Sequence, residues 1–379
     1  MTSAEAYHTV EEPLLFTPGP ITTAHATRIA MLKDFGARDS SFIEITRSIR
    51  EKLLRLAGAT ETHTCVPLQG SGTFAVEAML GTLVPRKKSL VLVLVNGVYG
   101  RRMVEILDRL ERPYLVYETE ETVSPVPADI EQLLTNKKNI THVAMVHCET
   151  TTGIVNPVED IANIVTLKKR IFLLDSISAF GALPLNVQTI PFTALAASAS
   201  KCLEGVPGLA FVLCHKTTLQ RAVGQAHAIS LDLEAQWTAM EQNGQWRFTP
   251  PTHVVVALAT ALDLFETAGG QPARLSRYKE NCRVLIKEMQ ALGFVPLLSP
   301  ALQSPIIVTF HMPTHPAFLF ENFYTRMRRY GYILYTGKVT RTATFRIGCI
   351  GAIKPQDISR MVTTVNHVLH EMNVVLQSK

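Results

Sequence analysis

Polar residues break two apolar stretches of this chain: Asp175 in RIFLLDSISAFG and Lys201 in TALAASASKCLEGVPG. A carboxylate at the end of a buried strand is costly unless something pairs with it. A lysine on a turn of small residues has room to act as a nucleophile. Together they are what pyridoxal 5'-phosphate requires: an amine to form a Schiff base with the cofactor aldehyde, and a carboxylate that keeps the pyridine nitrogen protonated so that the ring accepts electrons. A third feature precedes both. LQGSGTFAVEAML sets Gly70, Ser71, Gly72 and Thr73 directly before an apolar helical pattern, where free N–H groups and hydroxyls cradle a phosphate and glycine lets it come close. Cradle, carboxylate and lysine follow in that order, each at the end of a predicted strand, and the combination points to an enzyme.

Each residue alone has a plainer reading. Asp175 could cap a helix or join a structural ion pair, and Lys201 could be a surface lysine. GSGTFA could be a structural glycine turn, and it also fits a loose G-x-G-x-x-A dinucleotide pattern, but the next strand ends in Asn96-Gly97 with no acidic residue for a ribose. Tyr99 or Met103 in NGVYGRRMV could cover a cofactor ring or simply pack their helix. Arg346 in TATFRIGCIG interrupts an apolar strand, and a buried guanidinium there calls for an anion, its planar fork suiting a carboxylate or a phosphonate; the alternative is an ion pair with an acidic neighbour. Gly19 in the TPGP turn lets backbone approach a substrate. His147 reads as a core histidine because no second metal ligand is spaced with it, so no metal site is expected. His367 and His370 read as a solvated helix face.

These residues need a scaffold, and the pattern from about residue 60 supplies one. Apolar β-rich runs at 89–97, 141–149, 170–178, 193–200 and 209–215 alternate with helix-like stretches such as GRRMVEILDRLE and PVEDIANIVTLKK. Continuous apolar strands alternating with helices predict an α/β fold with a mostly parallel sheet covered by helices on both faces, and such sheets hold ligands at their strand ends. The small residues of TALAASAS would leave room for a flat ring. Gly269-Gly270-Gln271-Pro272 then punctuates the chain. A long helix, short strands (SPIIVTFHM, YILYTGK, TFRIGC) and a closing helix from about Lys354 follow. The expected division is a large cofactor-binding domain with an N-terminal segment over 1–270, and a smaller α+β domain over 271–379.

At 379 residues with 47% hydrophobic content the chain can fill a sizeable core. The net charge of +5 is spread without a basic tract, which argues against nucleic-acid binding. No run of about 18 apolar residues is present, and the first fifteen residues have neither a basic nor an apolar leader region, so a cytoplasmic protein away from membranes is expected. The six cysteines are scattered without C-x-x-C spacing and read as reduced, buried thiols.

The order of motifs, and TFRIGCIG near the end, resemble the class V aminotransferases of PLP fold type I. LLFTPGPIT, LQGSGTFAVEA, NGVYGRR, HCETTTGI, DSISAFG, SKCLEGVPG and FTPPTH carry the likeness from about Leu14 to the C-terminus. They are most similar to the branch that transaminates 2-aminoethylphosphonate with pyruvate in phosphonate catabolism. The resemblance implies Lys201 as the Schiff-base lysine and Asp175 as partner of the pyridine nitrogen, with Ser71, Gly72 and Thr73 on the cofactor phosphate. It places Thr150 and Thr151 where the family contacts the pyridine face and hydroxyl, either one reaching it. One of Ser198 and Ser200 could also reach the phosphate. Thr249 would reach the neighbouring subunit's phosphate, implying a homodimer with shared active sites, and Arg346 would anchor the substrate. Another class V aminotransferase, acting on alanine or serine with glyoxylate, would share Lys201 and Asp175. A PLP lyase or desulfurase would favour a mobile catalytic cysteine, whereas Cys148 and Cys349 lie on predicted strands. A PLP-binding regulator would carry a DNA-binding segment, and none is evident.

Overall fold

The structure is a computed structural model that describes residues 12–339 and 341–376; the reading of residues 1–11 as free of a leader lies outside them. A seven-stranded sheet is built from β1 (His63–Gln69), β2 (Val91–Val95), β3 (Tyr114–Glu118), β4 (His142–Val146), β5 (Ile171–Asp175), β6 (Ala194–Ser198) and β7 (Leu209–His215). Their order is β1-β7-β6-β5-β4-β2-β3, with β7 alone antiparallel to both of its neighbours. The five apolar runs of the sequence become five of these strands. β1 and the half-exposed β3 carry weaker signals and went unread.

Both faces of the sheet are buried along its five inner strands, which is why those strands are largely apolar. Along β2, Leu92 and Leu94 enter one apolar cluster while Val91, Val93 and Val95 enter the other. The first cluster is completed by α1 (Ser40–Leu56), through Phe42, Ile49 and Leu53. The second is completed by α2 (Gly72–Leu83) and α3 (Val98–Arg109), through Val76, Met79, Ile106 and Leu107. Each fully buried side chain of this size contributes about 1.5–3 kcal/mol. The alanines of β6 also serve this packing: Ala194 and Ala196 face the second cluster, and Ala197 and Ala199 the first. The alanines of the small-residue run therefore make room for helices against the sheet, while its serines, Ser198 and Ser200, line the cavity described below.

After α4 (Val158–Leu167) and β5 to β7, the chain enters α5 (Thr252–Thr267), which turns by 85° into α6 (Gly270–Ala291). Gly269 and Gly270 hold positive φ at this corner (98° and 67°), and Pro272 falls in the first turn of α6, where its missing N–H breaks nothing. The predicted break is thus the corner itself. No single described helix is long and apolar enough to cross a membrane. A smaller antiparallel sheet follows: β8 (Ile307–His311), β9 (Tyr335–Thr336) and β10 (Thr344–Gly348), ordered β8-β10-β9. α6 and α7 (Pro355–Glu371) pack against it around Phe294, Phe310 and Phe345. Phe16 joins this second core, and Leu14–Leu15 pairs in parallel with Tyr332–Ile333. The N-terminal segment thereby reaches across to the C-terminal region, passing over the ends of the large sheet as it goes.

Candidate active site

A cavity of about 360 Å³ opens at the C-terminal ends of β4, β5 and β6, beside the N-termini of α2 and α3. Its wall includes Asp175, Lys201, Ser71, Gly72, Thr73 and Tyr99. Residues distant in sequence meet here because parallel strands end at one edge and their helices begin there. Asp175 closes β5, 6% exposed. Its Oδ1 accepts one bond, from Ile177 N at 3.0 Å. Burial pushes its carboxyl up to about 7; the Ile177 bond and the charges of Arg102 and Lys201 work against that rise, and Glu149 adds to it. This is a buried carboxylate in need of a donor.

Lys201 follows β6 on a tight turn and donates to Pro18 O of the N-terminal segment. Burial lowers its pKa, and Arg346 lowers it further, against the opposing charges of Tyr99 and Asp175. Gly19 lies against it at φ 125°, and a β-carbon at that position would collide with Lys201 Nζ. The TPGP glycine therefore admits the lysine amine, besides lining the cavity.

At the cradle, Ser71 is the N-cap of α2 yet its side chain makes no capping bond, which leaves the hydroxyl and the first N–H groups of the helix available. Thr73 Oγ1 accepts from Arg102 Nη1 at 3.2 Å. Ser198 Oγ and Ser200 Oγ lie 3.1 Å apart on the same wall. A helix start with free donors, a hydroxyl cluster, an arginine, an unpaired carboxylate and a buried amine fit pyridoxal phosphate at its phosphate, ring nitrogen and aldehyde respectively.

The two threonines separate. Thr150 lines the cavity, whereas Thr151 is fully buried: its Oγ1 donates to Glu149 Oε1 at 2.6 Å and accepts from Val98 N at 2.9 Å. Glu149 is wholly buried beneath the start of α3, where Oε2 accepts from Tyr99 N and Gly100 N at 3.1 and 3.3 Å, and Oε1 also from Thr151 N at 3.1 Å. Burial raises its pKa; these four donors and the helix N-terminus oppose that.

Tyr99 lines the cavity, but Met103, one turn further along α3, is fully buried against the sheet and does not reach the wall. Burial favours the neutral Tyr99 phenol, yet the charges of Lys201, Lys338 and Arg346 and a bond to Thr150 outweigh it and hold the pKa below its usual value. Arg346, 2% exposed, sits behind this wall. Its Nε donates to Thr336 O at 3.1 Å and its Nη1 to Thr150 O at 2.9 Å. Thr249 lies outside the cavity, in an adjoining groove with Gln69, Arg38 and Trp246. His147 is buried, with Nδ1 against Ser176 Oγ at 3.1 Å, and burial lowers it to about 4. His367 and His370 are exposed. Cys148 lines the cavity but burial holds its thiol up at about 12, and all six cysteines are buried and unpaired. Asn96, the residue in place of a ribose-binding acid, bonds Asn156 Oδ1 at 2.7 Å.

Sequence reasoning missed Arg102 and Lys338 on the cavity wall. It also missed a buried network behind the lysine. Glu204 Oε1 accepts from Tyr278 OH at 2.6 Å and pairs with Arg274 at 3.3 Å and with Arg277. Tyr278 OH in turn accepts from Gly351 N at 3.2 Å. The turn carrying Lys201 and the segment following Arg346 are thus joined through one phenol of α6.

Comparison with known proteins gives a consistent picture. A family profile described as aminotransferase class-V matches residues 26–344. The chain is 49% identical over 363 residues to a 2-aminoethylphosphonate–pyruvate transaminase of Pseudomonas aeruginosa (strain UCBPP-PA14), covering 96% of this chain and 98% of that one. The same figures hold for the protein of that name from Pseudomonas fluorescens (strain Pf0-1). Among solved structures, a ureidoglycine–glyoxylate aminotransferase from Bacillus subtilis superposes with TM-score 0.89 at 20% identity, covering 97% and 96% of the two chains. A pyridoxamine–pyruvate aminotransferase from Mesorhizobium loti does so with TM-score 0.87 at 21% identity, covering 97% and 95%. These two establish the shared fold.

Proposed function

Because the chain belongs to the class-V aminotransferase family, we propose that its cavity transfers the amino group of 2-aminoethylphosphonate to pyruvate, giving phosphonoacetaldehyde and L-alanine, as a step of phosphonate catabolism. The enzyme is a pyridoxal-phosphate-dependent aminotransferase. The observation that carries the reading is one cavity lined together by Asp175, Lys201 and the Ser71–Thr73 turn, in a chain whose relatives bear the name of this reaction.

Bound pyridoxal phosphate supplies an aldehyde that condenses with amines and a ring that withdraws electrons from the carbon bearing the nitrogen. Ser71, Gly72 and Thr73, with one of Ser198 and Ser200, would hold the phosphate, and Arg102 adds a positive charge beside Thr73. Asp175 would keep a proton on the ring nitrogen. The carboxylate that burial disfavours becomes ionised once a cation faces it. Lys201 would hold the cofactor at its aldehyde. Burial lowers the pKa of the Lys201 amine, which favours the neutral form required of a base that would move the proton at the substrate's amino-bearing carbon. Tyr99 would cover the ring face, and Thr150 fixes both the Tyr99 hydroxyl and Arg346. Arg346 would anchor the substrate anion, first phosphonate and then pyruvate carboxylate, from behind the wall, with the donors that Thr336 O, Thr150 O and Tyr99 leave over. One site serves both half-reactions, so ping-pong kinetics follow.

The reading includes a homodimer in which Thr249 reaches the partner's cofactor phosphate. Its support is the position of Thr249 on an outer groove shared with Gln69, two residues before the cradle. It includes a division near residue 270, supported by the corner between α5 and α6 and by the separate apolar core beyond it. It also includes a cytoplasmic location, supported by six unpaired thiols. Running the halves separately tests the function. Loaded enzyme given 2-aminoethylphosphonate and no acceptor should release one equivalent of aldehyde and stop, and pyruvate should then yield one equivalent of alanine. Borohydride before the donor should fix the label on Lys201. A label on another lysine, or no aldehyde in the first half, refutes the assignment.

A further inference from the structure

We propose that Lys338 is a specificity-determining residue at the mouth of the cavity, a second cation that selects the phosphonate donor over substrates bearing a single carboxylate. The inference rests on the functional reading above. Lys338 lines the same cavity as Asp175 and Lys201, and its ammonium lies 5.6 Å from the centre of the Tyr99 ring. It sits on the hairpin that joins β9 to β10, so Lys338 and Arg346 occupy the two limbs of one turn. Gly337 closes that turn, its N donating to Thr344 O at 2.8 Å, and a β-carbon there would strike Thr344. The other basic residue of the hairpin, Arg341, is paired with Glu120. Lys338 has no acidic partner among the described residues, and its charge is felt at the Tyr99 phenol together with those of Lys201 and Arg346.

Charge counting explains why a second cation is needed. By analogy with a phosphoryl group, a phosphonate carries roughly 1.5 to 2 negative charges near neutral pH, against one for a carboxylate. Arg346 brings one positive charge, and two of its nitrogens already serve Thr336 O and Thr150 O. One guanidinium balances a carboxylate. It leaves roughly half to one charge of the phosphonate unmet, and Lys338 is the cation on the wall of the same cavity that could meet it. The Lys338 side chain is solvent-exposed, so its attraction acts at high dielectric. For one extra charge at contact distance in water this amounts to about five- to tenfold in affinity.

The test uses the full-length, cofactor-loaded enzyme with Lys338→Gln and Lys338→Arg variants. Calorimetry compares binding of ethylphosphonate and propionate, and half-reaction kinetics compare 2-aminoethylphosphonate and pyruvate. Lys338→Gln should weaken ethylphosphonate about five- to tenfold and raise KM for the phosphonate donor in proportion. It should leave kcat, propionate binding and the pyruvate half-reaction within about twofold, and Lys338→Arg should restore the difference. Raising the salt concentration should erode the wild-type preference and leave the glutamine variant flat. Equal losses for phosphonate and carboxylate, or no loss for either, overturn the proposal. A wild-type enzyme that does not transaminate 2-aminoethylphosphonate overturns the substrate reading instead, and the calorimetric comparison still decides the role of Lys338.

Discussion

Replacing Asp175 by asparagine should strengthen the cofactor-free fold while crippling the loaded enzyme. The carboxyl rises from an ordinary 3.8 to about 7 because it is buried with one hydrogen bond. Taken whole, that shift is a penalty of at most ~4 kcal/mol on the ionised form in the fold. Water entry and side-chain rotation relieve part of it, so a gain of about 2 kcal/mol is expected for Asp175→Asn, whose side-chain oxygen can still accept from Ile177 N. The sign follows from linkage. Below 3.8 the group is protonated folded or unfolded, and the two proteins should match. As pH rises from there to about 7 the unfolded chain gives up its proton while the fold keeps one, so wild-type stability falls relative to the variant. Above about 7 the difference stays constant. Denaturant unfolding of both cofactor-free proteins between pH 4.5 and 8.5 measures this. The loaded variant should transaminate at least about a hundredfold more slowly, since no anion holds the proton on the ring nitrogen. A cofactor-free variant no more stable than wild type at pH 8, or a difference independent of pH, would refute the account of Asp175 as a carboxylate kept short of partners.

Further outcomes follow from the same geometry. Gly19→Ala places a methyl on Lys201 Nζ at a φ that alanine resists, so borohydride labelling of Lys201 should drop sharply while the circular dichroism spectrum is retained; wild-type labelling would remove the glycine from the site. Glu149→Gln turns an amide N–H₂ toward backbone donors of α3 or the Thr151 loop, and should cost about 2–3 kcal/mol in denaturant unfolding and weaken cofactor affinity in a fluorescence titration; unchanged values in both would show that the buried charge is idle. Tyr278→Phe removes the phenol between Glu204 and Gly351 N, and should cost about 1–3 kcal/mol and raise KM for pyruvate as the Arg346 limb loosens; a purely structural phenol would leave KM unmoved.

The parts of this fold legible in the sequence are those where one physical demand dominates. β2, β4, β5, β6 and β7 stood out because burial on both faces leaves no polar position along them, and Asp175 and Lys201 stood out as exceptions to that rule. The half-exposed β3 imposes no such pattern. Position along the helix decides the Tyr99 and Met103 pair: both lie on one face of α3, but Tyr99 at its start lines the cavity and Met103, one turn on along the same face, is inside the core. Consecutive residues point opposite ways, which separates Thr150 from Thr151, and no spacing argument distinguishes two adjacent threonines. Arg102 and Lys338 look in the sequence like any solvated cation. Glu149 and Glu204 look like surface carboxylates, and only the donors that converge on them in three dimensions identify them as buried. The run TALAASAS carries two signals at once: its alanines make room for helices against the sheet, and its serines, Ser198 and Ser200, line the cavity.

The central claim, that this cavity passes nitrogen from a phosphonate to pyruvate, is tested most directly by a donor competition. The purified enzyme is given pyruvate with 2-aminoethylphosphonate, serine and alanine, and phosphonate and amino-acid products are followed together by phosphorus and proton magnetic resonance. The account predicts phosphonoacetaldehyde and new alanine in equal amounts, with serine left untouched. Nitrogen transfer from serine, or from alanine when glyoxylate replaces pyruvate, with the phosphonate signal unchanged throughout, would contradict it.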